Sequence, residues 1–263
     1  MICHQDRWLL LSASLIVLSR LGYAAPASKE PNCEMAVRAG DVAYAKFDNR
    51  AAFAEYRQAA QLDSCNYEAL WKLARAYIDV GMSLPKKEKP QYYFMAEKTA
   101  RRCATLHPDS AEGHFFSALA KGRFALFVGG KRKIQIARDV KAEAERALQI
   151  NPKHYGALHV LARWHYELAG LNFIERAVAK IIFGGLPAGA SYEKAARYFE
   201  QTIALNPNGP VHRLDYGRTL FKLRRLQEAR RQLETCIALP DLFWDDPQNK
   251  LEARKLLDKI IDS

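Results

Sequence analysis

The sequence predicts an all-α protein: an α-solenoid of about five helix hairpins, followed by a C-terminal capping helix. The 14 glycines and 11 prolines are few for a chain of 263 residues, which favours helices over turn-rich β architecture. Hydrophobic residues make up 49% of the chain, enough for a sizeable core. A short residue pattern also recurs along the chain, and such self-similarity is the signature of repeat folds.

The recurring pattern is the one typical of tetratricopeptide repeats: a small residue, a large one four later, a small one three later and a proline five later. Two helices cross closely only where a small side chain faces the neighbouring helix. Each match therefore predicts one helix hairpin, and Gly40 and Gly217 take the small position of the first helix in the first and last units. The matching segments, two of them without the proline, are Ala52/Tyr56/Ala59/Ser64, Ala96/Ala100/Cys103/Pro108, Val140/Ala144/Ala147/Pro152, Ala195/Phe199/Thr202/Pro207 and Ala229/Leu233/Cys236/Asp241.

These matches divide residues 33–263 into repeat units and a cap. The middle three units exceed the usual length of about 34 residues, and the extra residues fall between the two helices of each unit. We expect these insertions to project from one edge of the solenoid. Asp246 and Pro247 begin one more helix, which should cap the stack. The units are 33–66, 67–110, 111–154, 155–209 and 210–243, and the cap is 246–263.

Residues 1–24 have the pattern of a secretory signal peptide. Arg7 gives a basic start, residues 8–18 are apolar, and small residues precede a cleavage point after Ala24. We therefore expect residues 25–32 to form a short linker and the protein to be exported, to a bacterial periplasm. An uncleaved N-terminal membrane anchor is the alternative.

The net charge of +11 suggests an acidic partner, either anionic lipid or an acidic protein, with nucleic acid the least favoured. Many of the cations fall in connections between the first and second helices of the units, so they should share one edge. That basic edge either docks on an anionic membrane surface or acidic partner, or is simply solvated. Its residues are Lys86, Lys87, Lys89, Lys131, Arg132, Lys133, Arg224 and Arg225.

The sequence contains no catalytic, metal or cofactor signature. His154, His159 and His165 are the closest group of histidines, but their spacing does not align them on one helix face. No Cys-x-x-Cys or His-Glu-x-x-His motif occurs, and no nucleophile, base and orienting group come together. We expect a non-enzymatic protein without metal or cofactor.

The cysteines after the N-terminal segment are of two kinds. Cys103 and Cys236 occupy the small packing position of second helices, so they should be buried thiols. Cys33 and Cys65 lie at the two ends of the first hairpin, which an antiparallel arrangement brings together. Export makes their oxidation to a disulfide plausible.

Candidate binding residues lie on the concave surface, which the first helix of each unit lines in this repeat class. Arg75, Arg163 and Arg218 recur at one structural position, and a guanidinium group suits a carboxylate or phosphate. Arg75 and Arg163 each have an acid four residues later and could simply form helix-surface pairs, whereas Arg218 has Lys222 there. The candidate ligand-binding residues are Trp71, Arg75, Phe115, His159, Arg163, Tyr166, Arg218 and Phe221.

Two segments resemble a known family: EALWKLARAY at residues 68–77, and ARWHYELAGL at residues 162–171 with the Glu175-Arg176 and Phe183-Gly184 pairs after it. They are similar to the regulator of microtubule dynamics family, tetratricopeptide-like proteins whose members include an endoplasmic reticulum–mitochondria tether with a lipid-binding helical domain. The resemblance covers about residues 66–260. It implies a scaffold that binds protein or lipid and has no enzymatic activity.

Together these observations predict a non-enzymatic, exported scaffold whose groove binds an anionic amphiphile such as a lipid or fatty acid. The alternative is an adaptor that holds a peptide or partner helix in the same groove. A groove closed by the three insertions would favour the small ligand, and a groove open at both edges would favour the adaptor. An enzyme is a distant third.

Overall fold

The computed structural model describes residues 32–183, 185 and 187–261. The expected segments 1–24 and 25–31 lie outside them. Within the described residues the chain forms α-helices, one short 3₁₀ turn and no β-strand, as predicted. The helices are α1 (Cys33–Ala45), α2 (Asn49–Leu62), α3 (Tyr67–Ser83), α4 (Lys89–Leu106), α5 (Ala111–Phe124), α6 (Gly130–Ile150), α7 (Tyr155–Ala169), α8 (Phe173–Phe183), α9 (Tyr192–Leu205), α10 (Pro210–Lys222), α11 (Leu226–Ala238) and α12 (Asp246–Ile261).

Most helices begin at a side chain that caps the first backbone N–H groups. Asn32, Asp48, Asn66 and Ser191 each accept a hydrogen bond from the backbone N–H three residues later. His154 does the same for α7 through its ring Nδ1. Such caps satisfy donors that have no partner within the helix, so the hairpin turns are set locally.

The helices pair as five hairpins: α1 with α2, α3 with α4, α5 with α6, α7 with α9, and α10 with α11. The first helices of successive hairpins contact one another, and α12 packs on α10 and α11 as the predicted cap. In each of the five matching segments, the first three pattern residues are buried, and none is more than 6% exposed. The fourth position, occupied by Pro, Ser or Asp, is not included. The predicted α-solenoid is confirmed.

The additional residues of the middle units take two forms. In the second and third units the additional residues lengthen helices, giving 18 residues in α4 and 21 in α6, because each added helical residue gains a backbone hydrogen bond. Only the fourth unit carries a separate element, α8, which packs against α6.

All four cysteines among the described residues are free thiols. Cys103 and Cys236 are buried at the small packing positions, as expected, and burial raises the pKa of each thiol to about 11. Cys33 and Cys65 are half-buried and also free, so the structure does not support the predicted disulfide. That pairing had assumed an oxidising compartment.

Close helix crossing makes the requirement for glycine at position 40 testable. A Cβ at Gly40 would overlap the ring of Tyr56, whereas a Cβ at Gly122 on α5 would meet open space. Gly40→Ala should therefore lower the free energy of unfolding by about 1–3 kcal/mol through overpacking. Gly122→Ala, the matched control, should leave it unchanged or raise it by up to about 1 kcal/mol. Urea unfolding at pH 7 measures both, and equal changes would contradict the crossing argument.

Candidate binding groove

Arg75 of α3 lies in an aromatic cage on the groove side of the first two hairpins. Its guanidinium carbon is 3.5 Å from the ring centroid of Tyr44 on α1 and 5.2 Å from that of Trp71. Its Nη2 donates to the hydroxyl oxygen of Tyr56 at 3.1 Å. Asp79, the acid four residues later, and Arg75 are both described, and they form no hydrogen bond or ion pair with each other. Arg75 is therefore held mainly by aromatic rings.

Trp71, Arg75 and Asp79 form a stripe along one face of α3, because residues four apart lie above one another. On one side the stripe contacts Tyr44 of α1, and on the other Trp71 stacks on Phe116 of α5 at 5.7 Å between ring centroids. Three polar atoms of this stripe are buried without a hydrogen-bond partner: Trp71 Nε1, Arg75 Nε and Asp79 Oδ2. Leaving a buried polar atom unpaired costs about 1–3 kcal/mol, so this face is unsatisfied.

Arg163 and Arg218 share one buried carboxylate, Asp215 of α10. Arg163 Nη1 donates to both carboxylate oxygens at 3.1 and 3.2 Å, and Arg218 Nη1 donates to Oδ1 at 2.7 Å. Arg163 also pairs with Glu167 at 2.7 Å, and Arg218 with Glu252 of α12. Arg218, which has Lys222 four residues later, finds its acidic partners three residues earlier and on the cap.

Histidines complete the Asp215 cluster. His159 Nε2 lies 3.3 Å from Asp215 Oδ2, and His159 Nδ1 lies 2.9 Å from His212 Nδ1. Burial lowers the pKa of His212 to about 3, so that ring is neutral. Burial alone would raise the pKa of Asp215, but Arg163, His159 and Arg218 hold it well below its usual value. The cluster ties α7, α10 and α12 together and pairs both arginines with carboxylates.

The remaining candidate residues pack between helices. Phe115 lies 4.6 Å from Phe116 and 4.7 Å from His154 between ring centroids. Tyr166 meets Tyr192 edge-on at 5.4 Å. Phe221 packs, half-buried, on the core between the last two hairpins. These aromatic side chains therefore build the groove wall rather than stand free in it.

Asp79 was not identified from the sequence as a candidate site residue. Burial raises its pKa to about 7, against the opposing effects of Arg75, Arg123 and the hydrogen-bonding Trp244 side chain, while Asp245 raises it further. Tyr44, whose pKa burial raises to about 12, also feels Asp79 and Asp245. The sequence carried one usable signal, the i, i+4, i+8 spacing of a tryptophan, an arginine and an aspartate.

Two residues of the basic edge form hydrogen bonds within the fold. Lys89 donates to the Met82 carbonyl oxygen at 2.5 Å at the end of α3, and Arg225 forms two hydrogen bonds with Glu228, so these two predicted members are not free cations. The others are exposed, three of them in the first turn of α6, where cations oppose the helix dipole. The exposed members are Lys86, Lys87, Lys131, Arg132, Lys133 and Arg224.

The Glu175-Arg176 pair of the insertion has a structural role. Glu175 and Asn172 form a reciprocal capping box, each side chain accepting from the other residue's backbone N–H. Arg176 donates to the carbonyl oxygens of Leu168, Ala169 and Leu171, each at 2.9 Å. The pair therefore fixes how α8 leaves α7.

Neither a metal centre nor a membrane-spanning helix is found among the described residues. No cluster of three or more His, Cys, Asp or Glu side chains there could hold a metal ion. No described helix combines the length and the apolar character needed to span a bilayer.

A family model described as "Regulator of microtubule dynamics protein 1-3" matches residues 37–261. This chain belongs to that family. It is 31% identical over 198 residues to regulator of microtubule dynamics protein 1 of Bos taurus, covering 74% of this chain and 62% of the relative. Regulator of microtubule dynamics protein 2 of Mus musculus is 27% identical over 195 residues, covering 73% and 47%. The chain thus spans less than two thirds of the length of these relatives.

A solved structure supports the fold assignment. The tetratricopeptide protein TTC0263 of Thermus thermophilus superposes with a TM-score of 0.64 at 16% identity, covering 88% of this chain and all of that one. At that identity the likeness concerns the fold alone.

The expected periplasmic location is wrong. The relatives are mammalian proteins of the regulator of microtubule dynamics family, and mammalian cells have no periplasm. The signal peptide predicted over residues 1–24 lies outside the described residues. A basic residue followed by an apolar stretch is a pattern of charge and hydropathy, and this pattern does not by itself identify a cellular compartment.

The buried Asp215 cluster should dominate the stability of the last two hairpins. Asp215→Asn leaves two guanidinium groups without their shared counter-charge and should lower the free energy of unfolding by about 3–5 kcal/mol at pH 7. Because the folded-state pKa is depressed, the advantage of the wild type should shrink as the pH falls below about 4. Urea unfolding at pH 7 and pH 3 checks this. Glu167→Gln, which removes an exposed partner of Arg163, should cost less than about 1 kcal/mol.

Asp79 should have the opposite pH dependence. Its pKa is raised in the folded state, so the folded protein loses stability as the pH rises from about 4 to 7. Asp79→Asn removes that loss and should raise the free energy of unfolding by about 1–2 kcal/mol at pH 8 and by much less at pH 4. Asp109→Asn, an exposed control, should change little at either pH. A gain independent of pH would refute the assignment.

Proposed function

We propose that this chain is a non-enzymatic scaffold that binds an extended segment of a protein partner in its concave groove. The observation that carries the proposal is the α3 stripe of Trp71, Arg75 and Asp79, whose buried donors and acceptor lack partners. A peptide backbone offers both N–H donors and carbonyl acceptors, so it could satisfy such a mixed set. Tetratricopeptide-like folds commonly take peptides or protein partners, and their families are generally without enzymatic activity.

The charges favour a peptide over an anionic amphiphile. Arg163 and Arg218 are already neutralised by Asp215 and further acids, and Arg75 lies beside the carboxyl of Asp79. A lipid headgroup placed there would meet buried negative charge. Two cavities, of about 300 and 370 Å³, are lined by residues such as Pro187 and Tyr92, and neither is lined by the groove arginines.

The exposed cations of the basic edge belong to the same proposal. Lys131 and Lys133, exposed in the first turn of α6, oppose its dipole, so they are not placed there for helix stability. Arg132 beside them also packs on the ring of Phe124. An acidic flank of the bound partner would lie along this edge, where opposite charge accelerates association. The relatives' name concerns microtubule dynamics, and a partner from that process is the first to examine.

The groove assignment is tested by filling it. Gly122 of α5 holds the same place in its unit as Tyr44 in the first unit, and a Cβ there meets open space, so Gly122→Trp is expected to place a bulky ring in the groove. Peptides are first selected from a random displayed library against the full chain, and their affinities are measured by fluorescence polarisation. Gly122→Trp should weaken binding by about tenfold or more, equivalent to about 1.4 kcal/mol.

The matched control for that experiment is Lys98→Trp, which adds the same ring at an exposed position of the second helix α4. It should leave the affinities within about twofold. Equal binding to both variants would place the site elsewhere, and a selection that yields no peptide would refute the scaffold proposal.

A further inference from the structure

A cavity of about 370 Å³ opens at the edge where the first two hairpins connect their first and second helices. Its lining comes from three helices: Arg50 and Phe53 near the start of α2, Val80 and Leu84 at the C-terminal end of α3, and Tyr92 in the first turn of α4. None of the candidate groove residues lines it, so it is separate from the groove. Its mostly apolar lining can shelter an apolar side chain from water.

Three aromatic rings hold one wall of this cavity in place. Phe53 meets Tyr77 edge-on at 4.8 Å between ring centroids and lies 6.2 Å from Tyr92. Tyr77 in turn meets Tyr92 edge-on at 5.9 Å. A Cβ at Gly81 would lie 3.0 Å from the Cβ of Tyr92, so glycine at that position lets α4 pack closely against α3. The wall is therefore formed before a ligand arrives, and such preorganisation favours binding.

The cavity is bordered by cations that the fold leaves unpaired. Arg50 lines it, and Lys86 and Lys87 lie in the connection from α3 to α4, where Glu88 is the single acid. The three cationic side chains are exposed, and none of them forms an ion pair or a hydrogen bond with another described residue. The guanidinium carbon of Arg57 also lies over the Phe53 ring, 5.5 Å from its centroid. An apolar cavity with such a border is complementary to an apolar side chain that has acidic neighbours.

We propose that this cavity binds an aromatic side chain from an acidic segment of the protein partner. The inference rests on the proposed function, in which the partner lays an acidic flank along the basic edge, and it adds the anchor that fixes this flank. An aromatic ring packs favourably edge-on against Phe53 and Tyr92. The Tyr92 hydroxyl, which has no hydrogen-bond partner among the described residues, can donate to a carboxylate of the segment. A basic segment would instead be repelled by Arg50 and the two lysines.

The test selects peptides from a displayed library in which one random central position is flanked by aspartate and glutamate, with the full chain as the target. The selected peptides should carry an aromatic residue at the centre. Leu84→Trp, which fills the cavity, should weaken their binding about tenfold or more in fluorescence polarisation, because the anchor is excluded. Lys98→Trp, the exposed control on α4, should leave the affinities within about twofold.

Arg50→Glu tests the charge of the border without filling the cavity. Because Arg50 is exposed and unpaired, urea unfolding should be nearly unchanged, whereas the affinity for the acidic peptides should fall about tenfold. The matched control is Arg102→Glu, which makes the same charge change at an exposed position near the other end of α4. It should change the affinity less than about twofold. If Leu84→Trp does not fold, Arg50→Glu and its control decide the question.

The groove variant Gly122→Trp separates this inference from the proposed function. It should bind the acidic peptides as the wild type does. If the selection gives no aromatic centre, or if the selected peptides bind Leu84→Trp and Arg50→Glu as they bind the wild type, the anchor inference is wrong and groove binding stands. If the groove peptides selected earlier bind Gly122→Trp as they bind the wild type, the proposed function itself fails.

Discussion

Close crossing of two helices within each hairpin is the constraint on which this structure depends. It requires a small residue wherever one helix faces the other, and Ala59, Ala147 and Cys236 meet it with no exposed surface. Because the crossing repeats, every hairpin presents its first helix to the same side, and the solenoid acquires a continuous groove. The groove is thus a consequence of packing, and its chemistry is free to vary.

The fold could be predicted from the sequence because its determinants are local and repeated. Pattern residues such as Tyr56, Phe199 and Leu233 are buried where their spacing placed them, and the C-terminal helix begins at Asp246 as expected. The insertions were harder to predict. A stretch of good helix formers beyond the usual repeat length can extend a helix or form a loop, and only its packing partners decide between them.

The candidate groove residues lie on the first helices of their hairpins, but their side-chain contacts depend on residues distant in sequence. Arg218 had no acid one turn later, yet Asp215 lies one turn earlier and Glu252 comes from the cap. Spacing rules identify pairs within one helix, and they do not predict a carboxylate that comes from another helix.

Two carboxylates on the first helices illustrate how one architecture separates stability from binding. Asp215 is surrounded by two guanidinium groups and a histidine, so its charge is compensated and its removal should disrupt the fold. Asp79 is half-buried with incomplete compensation, and its Oδ2 is buried without a partner, a state that costs stability. A residue that lowers stability in this way is expected where it serves a function other than folding. The unsatisfied end of the groove, and not the arginine-rich end, is therefore where a partner gains most by binding.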